Sequence, residues 1–171
     1  MGNLTGIGYL GKVTLTYKNG DKEYKSILKN EGFSPLFETL ATLLARGGYP
    51  YGPISFVSMY CENTGKKENL LNSSAVPLIT SPSPSKTANG NWCCLVSAAI
   101  RPSDINTTAQ SNIGTGDKVW LYLHPQSSSV VLARVQLDTS SVQNIGGGTS
   151  LFIEWDLFFD NRPQPSEDNN S

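Results

Sequence analysis

The pair Glu154 and Asp156 has the residue types and the spacing that could do chemistry, because both carboxylates fall in the apolar segment 151–159. On a β-strand they share one face at a separation of roughly 7 Å. Two carboxylates facing each other in a groove can hydrolyse a glycosidic bond. The alternative is that they point to solvent or meet Arg134 on a neighbouring strand. We favour this second interpretation.

The single histidine and the cysteines do not form a catalytic or metal-binding pattern. His124 comes at the end of an apolar run, directly before Pro125, and its own segment contains no nucleophile or base. A Ser-His-Asp site would depend on contacts between distant parts of the chain. Cys93 and Cys94 are adjacent, so on a strand they point to opposite faces, whereas a two-cysteine metal clamp has a spacing such as C-x-x-C. We predict a non-enzymatic protein with no catalytic residue, no metal and no cofactor.

Three aromatic residues in predicted strands leave two interpretations open. Aromatic rings can form a flat platform on which a sugar ring stacks, and at strand positions they also serve as core residues. The candidate stacking residues are Trp92, Trp120 and Tyr122.

The bulk composition excludes several classes of function. The chain has 171 residues, a size that suits one domain, and a net charge of -1, which gives no general attraction to nucleic acid or to an anionic membrane. No apolar run approaches the length of about 20 residues that a membrane-spanning helix needs. The first residues lack the basic start and apolar core of a signal peptide. We therefore expect synthesis in a cytoplasm and no partner among nucleic acids or membranes.

The segment 151–159 predicts the strand around which the fold is organised. Its apolar residues recur at a period of two, which is typical of a strand with one buried face and not of a helix. A glycine run, 146–148, comes before it and a proline-containing tail follows, so both ends are marked. We predict a central core strand whose inward residues are Leu151, Ile153, Trp155, Leu157 and Phe159.

Six further strands follow from alternation and turn residues. Asn19-Gly20 between two alternating runs predicts a first hairpin, which could form a sheet edge. A second hairpin joins 119–124 to 130–138, and we expect 151–159 to be its third partner. The predicted strands are 13–17, 22–28, 54–61, 91–100, 119–124, 130–138 and 151–159.

One helix is predicted at 35–46. Ser34 is a favourable N-cap, Pro35 suits the first helical position, and Gly47 follows the last turn. Leucine and phenylalanine residues form an apolar stripe at helical spacing, so the helix must pack on the sheet or at one end of it.

These elements predict an all-β fold with one short helix: an antiparallel β-sandwich, jelly-roll-like, of about seven strands. We expect an N-terminal arm at 1–12, a single domain at 13–161 and a disordered C-terminal tail at 162–171. The region 62–90 lacks a period and contains a Ser-Pro repeat, so we interpret it as a long loop.

Four segments follow one another in a distinctive order. A capped helix comes after the first hairpin, a strand beginning with Gly-Pro follows, and a final alternating strand comes after a glycine-rich turn. The segments read NEGFSPLFETLATLLA (30–45), GPISFV (52–57), VVLARVQL (130–137) and SLFIEWDLFFDN (150–161). This order resembles that of small virion proteins of tailed bacteriophages, of the tail, fibre-base or head-decoration type.

The resemblance implies a structural virion protein, made in the host cytoplasm and bound to other virion proteins and to copies of itself. Its arm, its 62–90 loop and its tail would then make inter-subunit contacts. The alternative is a carbohydrate-binding β-sandwich, whose partner would be a glycan such as one on the host surface. The candidate assembly contacts are Leu4, Ile7, Tyr49, Tyr51, Pro82 and Pro84.

Overall fold

Two antiparallel sheets pack face to face around one hydrophobic core in a computed structural model. The structure describes residues 8–33, 35, 38–39, 42, 47–48, 50–86, 92–127, 129–145 and 147–160. The described strands are β1 (Gly8–Asn19), β2 (Lys22–Lys29), β3 (Glu31–Gly32), β4 (Ile54–Asn63), β5 (Lys66–Asn69), β6 (Val76–Pro77), β7 (Ser83–Lys86), β8 (Trp92–Ile100), β9 (Lys118–Pro125), β10 (Ala133–Leu137) and β11 (Ser150–Asp160).

The predicted β-sandwich is confirmed. The first sheet has the strand order β2-β1-β11-β8-β7, and the second has the order β3-β10-β9-β4-β5 with β6 paired to β4. All seven strands predicted from alternation are present. The four additional strands, β3, β5, β6 and β7, contain two to four residues each, which is too short to show a period.

The described helical segments are short. They are a 3-10 turn (Pro102–Asp104), α1 (Thr107–Ser111) and α2 (Thr139–Asn144). Within the predicted helix 35–46, residues 35, 38, 39 and 42 are helical, and the other positions lie outside the described residues. The hydroxyl of Thr39 donates to the carbonyl of Pro35 at 2.8 Å, one helical turn away.

Strand β11 occupies the centre of the first sheet, as the sequence predicted. It pairs with β1 on one side and β8 on the other, over most of its length. Its inward side chains are almost completely buried in the core: Leu151, Ile153, Trp155 and Leu157. The side chain of Phe159 lies outside the described residues.

The predicted partner of the second hairpin was wrong. β11 does not join β9 and β10 but belongs to the opposite sheet, and the free side of β10 pairs with β3. The physical reason is that α2 separates β10 from β11 and carries the chain across to the other sheet. In that sheet β11 pairs with β1, which is long enough to match every residue of β11 from Ser150 to Asp160.

The region 62–90 is not an irregular loop over its described part. It contains β5, β6 and β7, and Leu70, Leu71 and Val76 are buried in the core. The expected arm also ends earlier than predicted, because residues 8–12 already belong to β1. Residues 1–7 and the tail 162–171 lie outside the described residues.

Replacing Gly52 by alanine should destabilise the protein more than the same change at Gly65. Both glycines have a φ of 79°, a conformation that costs an alanine about 1 kcal/mol. A Cβ at Gly52 would also lie 2.7 Å from Cβ of Gln126, whereas nothing lies within 4 Å of one at Gly65. Overpacking of this kind adds about 1–3 kcal/mol.

The clash at Gly52 is difficult to relieve, because the amide of Gln126 donates to the carbonyl of Pro53 at 2.8 Å. Denaturant unfolding of Gly52→Ala and Gly65→Ala measures the two losses. Equal losses of unfolding free energy would contradict the close approach of the two segments.

Candidate functional site

The outer face of the second sheet collects most of the residues that could do chemistry. On β9, alternate side chains enter the core, and the remaining ones, Trp120, Tyr122 and His124, lie on the opposite face. These three are nevertheless buried, with exposed fractions of 7%, 4% and 6%. The polar and aromatic side chains at the middle of this outer face therefore form a covered layer, while Lys118 and Gln136 on the same face are exposed.

His124 forms a hydrogen-bonded pair with Ser58, which comes from the neighbouring strand β4. Nε2 of His124 lies 2.6 Å from Oγ of Ser58, and Nδ1 lies 2.7 Å from the carbonyl oxygen of Val130. A carbonyl oxygen can only accept, so Nδ1 carries the proton. In the neutral imidazole Nε2 then accepts from the Ser58 hydroxyl, which is how a general base activates a nucleophile.

Burial argues against catalysis by this pair. Ser58 is only 1% exposed, so its hydroxyl is covered by neighbouring groups and is not open to solvent. Nδ1, the nitrogen that a carboxylate orients in a Ser-His-Asp triad, donates to a backbone carbonyl instead. The segment of His124 itself holds no nucleophile, as the sequence indicated. Ser58 comes from β4, where it is paired with Tyr122 and so lies diagonally across from His124. The pair ties two strands to the turn after β9.

Arg134 covers one side of Trp120. Its guanidinium carbon lies 3.9 Å from the centre of the indole ring, and its Nε donates to Oε2 of Glu31 at 2.7 Å. A guanidinium over an aromatic face is a favourable cation–π contact. Arg134 is therefore engaged in the second sheet and does not meet Glu154 or Asp156, which lie on the first.

Lys67 lies over two tyrosine rings of the same layer. Its ammonium nitrogen is 4.4 Å from the ring centre of Tyr60 and 4.3 Å from that of Tyr122. The Tyr122 hydroxyl donates to Oε1 of Glu62 at 2.6 Å, and burial together with this carboxylate raises the pKa of Tyr122 to about 12. The phenol therefore stays neutral and continues to donate over the physiological range.

The proposed sugar-stacking platform does not form from the described residues. Trp120 and Tyr122 are buried beneath Arg134 and Lys67, so their ring faces are not open to a ligand. The side chain of Trp92 lies outside the described residues.

The two carboxylates of β11, Glu154 and Asp156, lie on the outer face of the first sheet. Glu154 is exposed and Asp156 is half-buried. Burial raises the pKa of Asp156, and Lys12, its partner across the strand pair, lowers it. An open sheet face with a lysine beside one carboxylate offers no enclosed groove for glycoside hydrolysis.

The candidate assembly residues have different surroundings. Leu4, Ile7 and Tyr49 lie outside the described residues. Tyr51 is half-buried, and its hydroxyl donates to Glu38. Pro82 is half-buried, and Pro84 is exposed on β7.

The three cysteines are reduced, and two are buried. Burial, reinforced by Asp117, raises the pKa of the Cys61 thiol to about 11, so it is a poor nucleophile at neutral pH. Among the described residues, no group of three or more histidine, cysteine, aspartate or glutamate side chains could hold a metal ion. None of the described helices is long and apolar enough to cross a membrane.

An open groove of about 710 Å³ lies beside the first hairpin. One wall comes from β1 and β2, and the other from α2 and the turn after it. The groove leaves no signal in the sequence, because its walls come from segments more than 100 residues apart. Its lining residues are Tyr17, Asn19, Lys22, Glu23, Tyr24, Ser141, Gln143, Asn144, Gly147 and Thr149.

Comparison of the chain with protein-family models, with curated proteins and with solved structures finds no match.

His124 should titrate below its ordinary pKa of 6.5, because burial disfavours the charged imidazole and Lys67 adds to this effect. The hydrogen bond to Val130 opposes the shift without reversing it. At any pH between the lowered pKa of His124 in the folded protein and its ordinary pKa in the unfolded chain, the unfolded chain binds more protons than the folded one. The free energy of unfolding must therefore fall as pH drops through 6.5.

The chain has one histidine, so a single imidazole signal in proton NMR reports this pKa directly. His124→Gln should flatten the pH dependence of stability between about pH 7 and about pH 5, where no other side chain has its ordinary pKa. A midpoint at or above 6.5 would contradict the structural role assigned to this pair.

Proposed function

We propose that this protein is a non-enzymatic structural subunit that assembles with copies of itself, in agreement with its resemblance to virion proteins of tailed bacteriophages. The observation that carries the proposal is strand β2, a long sheet edge that no other described strand covers. The backbone groups along such an edge are ready to pair with a strand of another chain.

The other sheet edges in the described part of the chain are less suited to pairing. β7 contains Pro84, which has no N–H to donate, and β3 has only two residues. β5 has only four residues. β2 has eight residues and no proline.

A second copy of the chain is the partner that β2 fits. Antiparallel pairing of two β2 strands about a two-fold axis at Ser26 would place Glu23 opposite Lys29 of the partner subunit. It would also place Ile27 against the aliphatic stem of Lys25 of the partner subunit. Ile27 is 64% exposed, so this contact would bury apolar surface that the isolated subunit leaves in water.

The absence of catalysis is supported by what surrounds the Ser58–His124 pair. A hydrolytic serine needs an open approach to its hydroxyl and donors for the oxyanion. Ser58 sits instead within a covered layer of strand side chains.

Ile27→Lys should weaken self-association by about tenfold or more, because it places a charge beside Lys25 of the partner subunit and removes the apolar contact. Light scattering over a wide concentration range measures the mass of each variant. Ile79→Lys is the matched control, because Ile79 is 54% exposed and lies away from β2. A wild-type chain that stays monomeric at every concentration, or an equal effect of both variants, would overturn the proposed assembly.

A fluorophosphonate probe should leave Ser58 unlabelled in the folded protein, because the hydroxyl is inaccessible. Intact-mass measurement of the wild-type chain and of Ser58→Ala tests this. Stoichiometric labelling that is lost in Ser58→Ala would show an activated nucleophile and would contradict the non-enzymatic role.

A further inference from the structure

We propose that the groove between the β1–β2 hairpin and α2 binds a neutral oligosaccharide. This inference goes beyond the assembly role and uses different residues from the buried aromatic layer of the second sheet. A volume of about 710 Å³ lies within the range of about 300–1,000 Å³ typical of small-molecule sites, and it is large enough for more than one sugar ring.

Two tyrosines give the groove an aromatic wall. The ring centres of Tyr17 and Tyr24 are 5.9 Å apart with an angle of 36° between the ring planes. The two residues face each other across the β1–β2 pair, so the register of the hairpin fixes their spacing. Tyr17 is buried and supports Tyr24, which is 60% exposed. An exposed ring on a rigid base can accept the C–H face of a pyranose.

The rest of the groove is lined by side chains that both donate and accept hydrogen bonds. Asn19 stands on the hairpin side, and Gln143 and Asn144 stand on the helix side. Amide side chains match sugar hydroxyls, because each hydroxyl also donates and accepts. The amide nitrogen of Asn19 donates to the hydroxyl of Thr149 at 3.3 Å, which holds this side chain at the edge of the groove.

The charges of the groove favour a neutral ligand. Its charged lining residues are Lys22 and Glu23, and the carboxylate of Glu23 already pairs with Lys25 at 3.1 Å, so the lining holds no cluster of like charges. Recognition of phosphate or nucleic acid would call for several cations in one place. A lipid or another apolar ligand would call for a predominantly apolar lining, and the amides and charges here do not provide one.

The helix wall is held in place before any ligand arrives. Asp138 caps α2 by accepting from the amide of Ser141 at 3.0 Å. Gln110 donates to the carbonyl of Val142 at 2.8 Å and so ties the end of α2 to the segment at α1. A wall fixed in this way loses little conformational entropy on binding.

The test is a titration of the isotope-labelled full chain, followed by backbone amide NMR, with three neutral probes: cellotetraose, maltotetraose and tetra-N-acetylchitotetraose. We expect at least one to shift the amides of the hairpin and of α2 progressively, with saturation. Tyr24→Ala should weaken that binding by about tenfold, because the stacking surface is lost. Gln143→Ala should weaken it by a smaller factor through the loss of one side-chain amide.

Phe152→Ala is the matched control, because Phe152 is also an exposed aromatic on the first sheet but lies outside the groove. It should bind as the wild type does. Tyr24→Leu keeps the apolar bulk and separates loss of the aromatic face from loss of folding. No shift with any of the three probes at millimolar concentration, or equal weakening by Phe152→Ala, would overturn the proposal. Ile27→Lys should retain sugar binding, so failure of the assembly proposal is distinguishable from failure of this one.

Discussion

The whole fold depends on covering the inner face of β11. Leu151, Ile153, Trp155 and Leu157 form a continuous apolar row, and such a row is stable only when both neighbouring strands and an opposing sheet exclude water from it. β1 and β8 supply the neighbours, and β4 and β9 supply opposing residues such as Met59 and Leu121. Trp155 is fully buried, which places the largest side chain of the row at the centre of the sandwich.

The second sheet differs from the first in that polar groups are buried on its outer face. A buried polar group destabilises the fold unless it has a partner. Ser58 pairs with His124 and Tyr122 with Glu62, and at the rim of the layer the partly exposed Arg134 pairs with Glu31. Each pair joins two different strands. The hydrogen bonds that give these residues the appearance of a catalytic site therefore also hold the strands in register. Because their polar groups already have hydrogen-bond partners, these residues are poorly suited to act on a substrate.

The two proposals concern different surfaces of the first sheet. Ile27 lies on the outer face of β2 at an open strand edge, where backbone pairing with another chain is possible. Tyr24 lies on the opposite face of the same strand, toward the groove formed with α2. One hairpin thus presents both the surface proposed for assembly and the surface proposed for sugar binding. The β-strand makes this possible because successive side chains point to opposite faces.

The sequence by itself determined the seven principal strands, the sandwich class and the inward face of β11, because a period of two is a local pattern that burial on one face imposes. It did not determine the sheet to which β11 belongs, since strand pairing joins residues far apart in the chain. The Ser58–His124 contact spans 66 positions, and the groove joins the hairpin to α2 across a still longer separation. Tertiary structure also decided that Trp120 and Tyr122 are covered, because alternation shows which residues share a face but not what lies on that face.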